Sequence, residues 1–300
     1  MKFIIVHKTT YRYSEPASLS QNELFLHPRE TGLQQVLQSH LTIVPKPQYL
    51  YGRVDFFGNI SQVFMVQHPH NELTMTATSC VVTLQPAPIA PEETPAWETV
   101  ARRLAAHASP TDMEAYQFVF PSPLVAVGKG VKDYAGLSFP PGTPVLSGAL
   151  ELIRRIFTEF KYDKSATTVD TAVDQVLADR KGVCQDFAHL AIGCLRSLGL
   201  AARYVSGYLR TLPPPGKPKL IGADASHAWI SLYVPDKGWV DLDPTNNLIP
   251  AETHITLAWG RDYGDVTPVK GVVMGGGNHT LSVMVDVEEQ ACQKGDGHEF

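Results

Sequence analysis

Charged residues are few in this chain: 18% of its 300 residues, with 25 Lys and Arg against 30 Asp and Glu, for a net charge of −5. No Lys/Arg run tracks a phosphate backbone, so nucleic acid is excluded as an expected partner. Cysteine is scarcer still. Cys80, Cys184, Cys194 and Cys292 include no Cys-x-x-Cys pair, and neither a disulfide framework nor a zinc knuckle reads from their spacing. Long apolar runs are also missing. Phe3 to Val6 is cut short by His7 and Lys8, too brief for a signal peptide, and no window reaches the length of a membrane span. The expectation is a cytoplasmic protein with free thiols and no membrane partner. What the chain does have is a 44% hydrophobic content, ample for packed cores, and enough length for two domains.

Residues 1–88 read as an antiparallel β domain. Leu73, Met75 and Ala77 alternate with polar neighbours and lead into Cys80, Val81 and Val82, while Leu41 to Val44 forms a strand stopped by Pro45. Phe57-Gly58-Asn59-Ile60 has the composition of a hairpin turn. Pro86, Pro88, Pro91 and Pro95 then prevent a helix or central strand and mark a stiff linker. Residues 89–143 are the linker and a helical connection, with one helix from Trp97 to Ala108. The core is expected over 144–287, with a loose tail at 288–300. Its helices run from Thr143-Pro144 to Phe160, from Thr171 with Asp174 in capping-box position, and from Cys184 to Leu198, closed by Gly199. The last of these carries Phe187, Leu190, Ala191, Cys194, Leu195 and Leu198 on one face. Strands come next at Ala201–Leu209, Ala228–Val234, Trp239–Leu242 and Leu281–Val287, with a Pro213–Pro218 loop after the first. Helices followed by an antiparallel sheet make an α+β fold.

The chemistry centres on Cys184. It occupies the first turn of a strong helix, where unpaired backbone N–H groups and the positive end of the dipole favour thiolate over thiol. A free cysteine is more often a small buried hydrophobe, and Cys194, inside the apolar stripe, fits that description. Cys184 differs because it has candidate partners further along the chain: His227 at the start of one strand and Asp243 at the end of the next. A thiol nucleophile needs a base, and that imidazole needs an acceptor to fix its tautomer. A four-residue turn at 235–238 would place Asp243 opposite Ile230 and on the wrong face for His227, so a bulge is needed to correct the register. Asp241 is the weaker candidate, and Asp186 and His189 read as supporting groups. A metal site of His227, Cys184 and a carboxylate lacks a second close-spaced ligand pair, so no metal or other cofactor is expected. His68 and His70 read as surface loop.

These residues resemble the transglutaminase-like cysteine enzymes of bacteria. The likeness rests on Gly182-Val183-Cys184-Gln185-Asp186-Phe187-Ala188-His189-Leu190, on His227-Ala228-Trp229, and on Trp239-Val240-Asp241-Leu242-Asp243-Pro244-Thr245-Asn246. Tyr11-Arg12-Tyr13 and Asp55 to Asn59 resemble the N-terminal β domain of that family, and His254-Ile255 with Gly260 to Val266 resemble the segment after its core. The resemblance implies a papain-like core in which Cys184 is nucleophile, His227 base and then acid, and Asp243 the orienting carboxylate. It implies a peptide or amide substrate, hydrolysed through a thioester or transferred to an amine; a catalytically silent peptide-binding protein is the alternative. Val183 and Gln185 stand where protein-crosslinking members carry Gln and Trp around the nucleophile, and no acidic cluster suggests a calcium site. Tyr162 is a candidate second oxyanion donor, Trp229 a shield from water, and Arg261 a candidate for a substrate carboxylate. The oligomeric state is not legible.

Overall fold

A computed structural model describes residues 1–211 and 224–290, which leaves the Pro213–Pro218 loop and Cys292 outside the described residues. The opening β region contains β1 (Lys2–Leu24), β2 (Gln34–Val44), β3 (Tyr49–Val54), β4 (Ile60–Val66) and β5 (His70–Thr83). Four helices come after it: α1 (Trp97–Ala105), α2 (Pro110–Tyr116), α3 (Lys129–Gly136) and α4 (Val145–Glu159). Then come β6 (Lys161–Tyr162), α5 (Val173–Asp179), β7 (Lys181–Gly182) and α6 (Cys184–Ser197). The chain continues with β8 (Ala202–Leu209), β9 (Ala225–Val234), β10 (Gly238–Leu242), β11 (His254–Gly260), β12 (Val269–Gly275) and β13 (His279–Glu289).

β1 organises the first sheet. Phe3, Ile5, His7 and Thr9 are buried in alternation with more open neighbours, the period of a half-covered strand. The strand is long enough to take different partners along its length. Its first half lies between β5 and β13, its second half between β4 and β12. The Leu281–Val287 strand therefore belongs to the N-terminal sheet, a correction to the expected 144–287 core: the chain returns to the first domain after finishing the second. Alternation in β13 reports a half-buried strand but not its partner. The hairpin at Gly58 forms as expected, with φ of 76° at that glycine. His70 departs from the surface-loop reading: it is buried at the start of β5, bonded to Ser20 Oγ and to the His68 carbonyl.

The second sheet runs β10-β9-β8-β11, antiparallel throughout, and α6 packs across β8 and β9. α6 is buried along almost its whole length because α3, α4 and α5 surround its outer side. Two details of this sheet decide where side chains point. The β9–β10 turn holds three residues, Pro235 to Lys237, with Gly238 already opposite Val234. One residue fewer than the expected turn moves every β10 side chain to the other face, so Asp241 and Asp243 share the face of His227 and Trp229 without a bulge there. A bulge does occur in β11, between Thr256 and Ala258, and it turns His254, Thr256 and Trp259 all toward that same face.

Gly207 sits opposite His227 in β8. A Cβ there would lie 2.2 Å from the Ile255 carbonyl oxygen and 2.4 Å from the Trp229 ring. Neither a backbone oxygen nor a fully buried indole can give way cheaply. Gly207→Ala is expected to lose about 3 kcal/mol of stability, at the upper end of overpacking effects, read as a lower urea midpoint with an unchanged slope.

Candidate active site

The first intrahelical bond of α6 runs from Phe187 N–H to the Val183 carbonyl, so the N–H groups of Cys184 and Gln185 have no helical partner. The helix start is fixed by Asp186, whose Oδ2 accepts from Val183 N–H at 2.8 Å and from Thr167 Oγ at 2.6 Å. Burial pushes the Asp186 carboxyl up, against those two donors. Gly182 is part of the same device, since a Cβ there would meet Asp186 Cβ and Oδ2 at 2.8 Å. The Gly-Val-Cys-Gln-Asp run is thus a helix-starting unit that presents a partly exposed thiol at its first turn.

His227, Asp243 and the Cys184 thiol come together at the end of the second sheet. His227 Nε2 lies 2.7 Å from Asp243 Oδ2, and the Cys184 thiol lies within hydrogen-bonding reach of the same imidazole. Burial opposes charge on His227, but the bonds to Asp243 and Cys184 more than offset it and hold the imidazole up at about 9. Burial likewise opposes ionisation of Asp243, yet the donors around it hold this carboxyl well below the usual carboxylate range. An ionised Asp243 only accepts, so Nε2 of His227 carries the hydrogen and Nδ1 is left to exchange a proton with sulfur.

Asp243 is unusually well supplied. Its Oδ1 accepts from the backbone N–H groups of Thr245 and Asn246, and its Oδ2 from His227, His254 Nε2 at 3.1 Å and Asn246 Nδ2 at 2.7 Å. His227, Asp243 and His254 offer three ligand atoms within 4.8 Å of one another, but a cation there would have to displace these donors. His254 as a second imidazole on Asp243 was missed by sequence reasoning; the bulge that aims it leaves no local signature.

The remaining candidates separate. Trp229 is fully buried, donates Nε1–H to Asp241 Oδ2 at 3.0 Å and packs edge-on against His254, so it lies beneath the histidine–aspartate cluster and does not line the cleft. Arg261 is held by Asp265 through two parallel bonds of 2.9 Å and is absent from the cleft walls. Tyr162 pairs with Gly182 across β6 and β7, half-exposed, and burial followed by the charges of Cys184 and Asp186 pushes its phenol up. His189 is buried, drawn down to about 4 by that burial, and its neutral Nε2 accepts from Tyr263 N–H.

A cleft of about 300 Å³ opens at Cys184. Tyr204, Ser206, Ser226 and Tyr263 form its core side, while His7, Thr9 and Tyr11 of β1 and Leu281 and Val283 of β13 form the other. The N-terminal sheet is therefore one wall of the cleft. Tyr204, also unmarked by the sequence, is buried there, and burial ahead of the nearby Cys184 charge keeps its phenol protonated.

A helix beginning at a cysteine, packed on an antiparallel sheet that carries a histidine and an aspartate, defines a papain-like α+β fold. The chain belongs to the transglutaminase-like superfamily: the bacterial transglutaminase-like N-terminal region matches residues 3–82 and the superfamily core matches residues 138–244. An uncharacterized protein of Mycobacterium tuberculosis is 40% identical over 294 residues, 95% of this chain and 92% of its own length. A protein-glutamine gamma-glutamyltransferase of Pseudomonas aeruginosa is 35% identical over 86 residues, 28% of this chain and 13% of that protein. A crystal structure of a "Putative Cysteine Protease" from Cytophaga hutchinsonii has the same fold, with a TM-score of 0.73 at 22% identity, covering 97% of this chain and 92% of that one. No helix among the described residues is long and apolar enough to cross a membrane.

Proposed function

We propose that the protein is a thiol-dependent acyl-transfer enzyme that hydrolyses a peptide or other amide bond. The observation that carries this reading is the clamped imidazole: His227 holds Asp243 at 2.7 Å on one nitrogen and faces the Cys184 thiol with the other. Cys184 passes its proton to His227 Nδ1 and its sulfur attacks the carbonyl carbon. The tetrahedral oxyanion is met by the free Cys184 N–H, with the Tyr204 hydroxyl as second donor in place of Tyr162, since Tyr204 lines the cleft. His227 then returns its proton to the leaving amine, leaving a thioester. Water, deprotonated by His227, releases the acid and restores the thiol. An amine in place of water would instead form a new amide. The wall contributed by β1 and β13 borders the Cys184 cleft, which supports a role for the N-terminal sheet in substrate choice. The three described cysteines are free thiols, compatible with the cytoplasm as the working compartment.

Iodoacetamide near neutral pH tests the reading. Cys184 is expected to be carbamidomethylated at least tenfold faster than Cys80, by mass mapping, because it is partly exposed at a helix start with the His227 imidazole within reach to take its proton. Equal slow labelling of both would leave an inert peptide-binding protein. An added primary amine appearing in the product would divide transfer from hydrolysis.

A further inference from the structure

A second cavity, of about 720 Å³, lies between the two sheets on the face of β8 and β10 that bears Arg203, Trp239 and Asp241. That volume is in the range that accommodates a small organic ligand. Arg203 is its unusual feature. The residue is 8% exposed, and its Nε–H has no hydrogen-bond partner among the described residues. The guanidinium is held instead between two indoles, 3.6 Å from the Trp259 ring centre and 4.2 Å from that of Trp239. Arg29 covers the far face of Trp259 at 3.5 Å, adding a second positive charge to the stack. Asp241 is the acidic neighbour, and its Oδ2 is engaged by the Trp229 indole. Leaving a buried guanidinium donor unpaired is costly, and stacking orients the guanidinium plane without using its N–H groups. Around it the cavity is mainly apolar, with Gln34, Asp241 and His254 among its polar wall residues, and Leu33, Leu84 and Ile249 are 45%, 55% and 38% exposed at its walls. Such side chains are uncovered surface with a charged anchor at its base.

We propose that this cavity is a binding site for a small carboxylate with an apolar body, the carboxylate pairing with Arg203 and the body lying against Leu33, Leu84 and Ile249. It is separate from the cleft at Cys184, although His254 lines its wall.

Isothermal titration calorimetry with 4-phenylbutyrate and its neutral analogue 4-phenylbutyramide tests this. The acid is expected to bind the full-length protein one-to-one, at least tenfold tighter than the amide. Arg203→Met, which removes the charge while keeping an apolar stem, is expected to abolish the difference while unfolding at or above the wild-type temperature. Ala87→Trp, at the cavity wall, is expected to weaken the acid tenfold or more with Arg203 intact. Protein first carbamidomethylated at Cys184 is expected to bind the acid unchanged. Equal affinity for acid and amide, no saturable binding, indifference to Ala87→Trp, or loss of binding on alkylation would each overturn the proposal. None of these readouts requires the protein to be an enzyme.

Discussion

Cys184→Ala is expected to lose turnover by a factor on the order of 10⁶ while the protein keeps its fold. The change removes one sulfur from a partly exposed position, and alanine is the best helix former, so α6 should start where it does now. The start is held by Asp186 and Thr167, and the body of the helix by Phe187, Leu190, Ala191 and Leu195, all buried and untouched. The stability change should therefore stay under about 1 kcal/mol. No other described thiol can substitute. Cys194 is fully enclosed, and burial pushes its thiol far up; Cys80 lies in β5, in the other sheet. The measurement is product release from a panel of peptide anilides and activated esters, beside a thermal melt by circular dichroism. Turnover retained within tenfold would end the assignment of Cys184 as nucleophile.

The parts of this protein that were legible in the sequence are those where a local signal fixes a local outcome. The apolar stripe of α6 gave its length and one of its buried faces, because a helix repeats within a few residues and needs no distant partner to define its period, whereas the burial of Asp186, His189 and Arg196 comes from the surrounding elements. Cys184, His227 and Asp243 could be linked because Cys184 begins a helix, Asp243 ends a strand, and His227 lies near the start of the strand between them. The turn before β10 was misjudged by one residue, and that single residue decides whether Asp243 faces His227. Strand parity amplifies small counting errors in this way. Pairing across the chain was out of reach: β13 lies against β1, nearly the whole chain apart, and the Cys184 cleft has a wall made of residues 7, 9 and 11. Tyr204, His254 and Arg203 were invisible for the same reason. Each is an ordinary strand residue until register, a bulge and a neighbouring sheet give it surroundings.

Asp243→Asn tests the relay without changing its shape. The new amide fills the same volume, but its NH₂ would face His227, His254 and Asn246, all donors, in place of Oδ2. If the side chain flips, the same clash falls on the Thr245 and Asn246 backbone N–H groups. Either way buried donors lose their acceptor, at a cost of about 3 kcal/mol in stability. His227 loses the carboxylate that fixes Nε2 as the protonated nitrogen, so turnover is expected to fall about 10⁴-fold, as for the orienting carboxylate of other triads. The pH dependence carries a further signature. His227 is raised from 6.5 to about 9, so its contribution to stability is complete below 6.5 and is lost as pH rises through about 9. Asp243 is depressed, so its contribution is present above 3.8 and is lost as pH falls through its lower folded value. Wild-type stability from the pair should therefore be greatest between about 4 and 6.5, and turnover should decline above about pH 9 as the imidazolium proton leaves. In Asp243→Asn that alkaline decline should move down by a unit or more, toward the ordinary imidazole value, because the bond that raised His227 is gone. Residual activity with an unmoved alkaline limb would mean that Asp243 anchors the β10 turn without orienting the base.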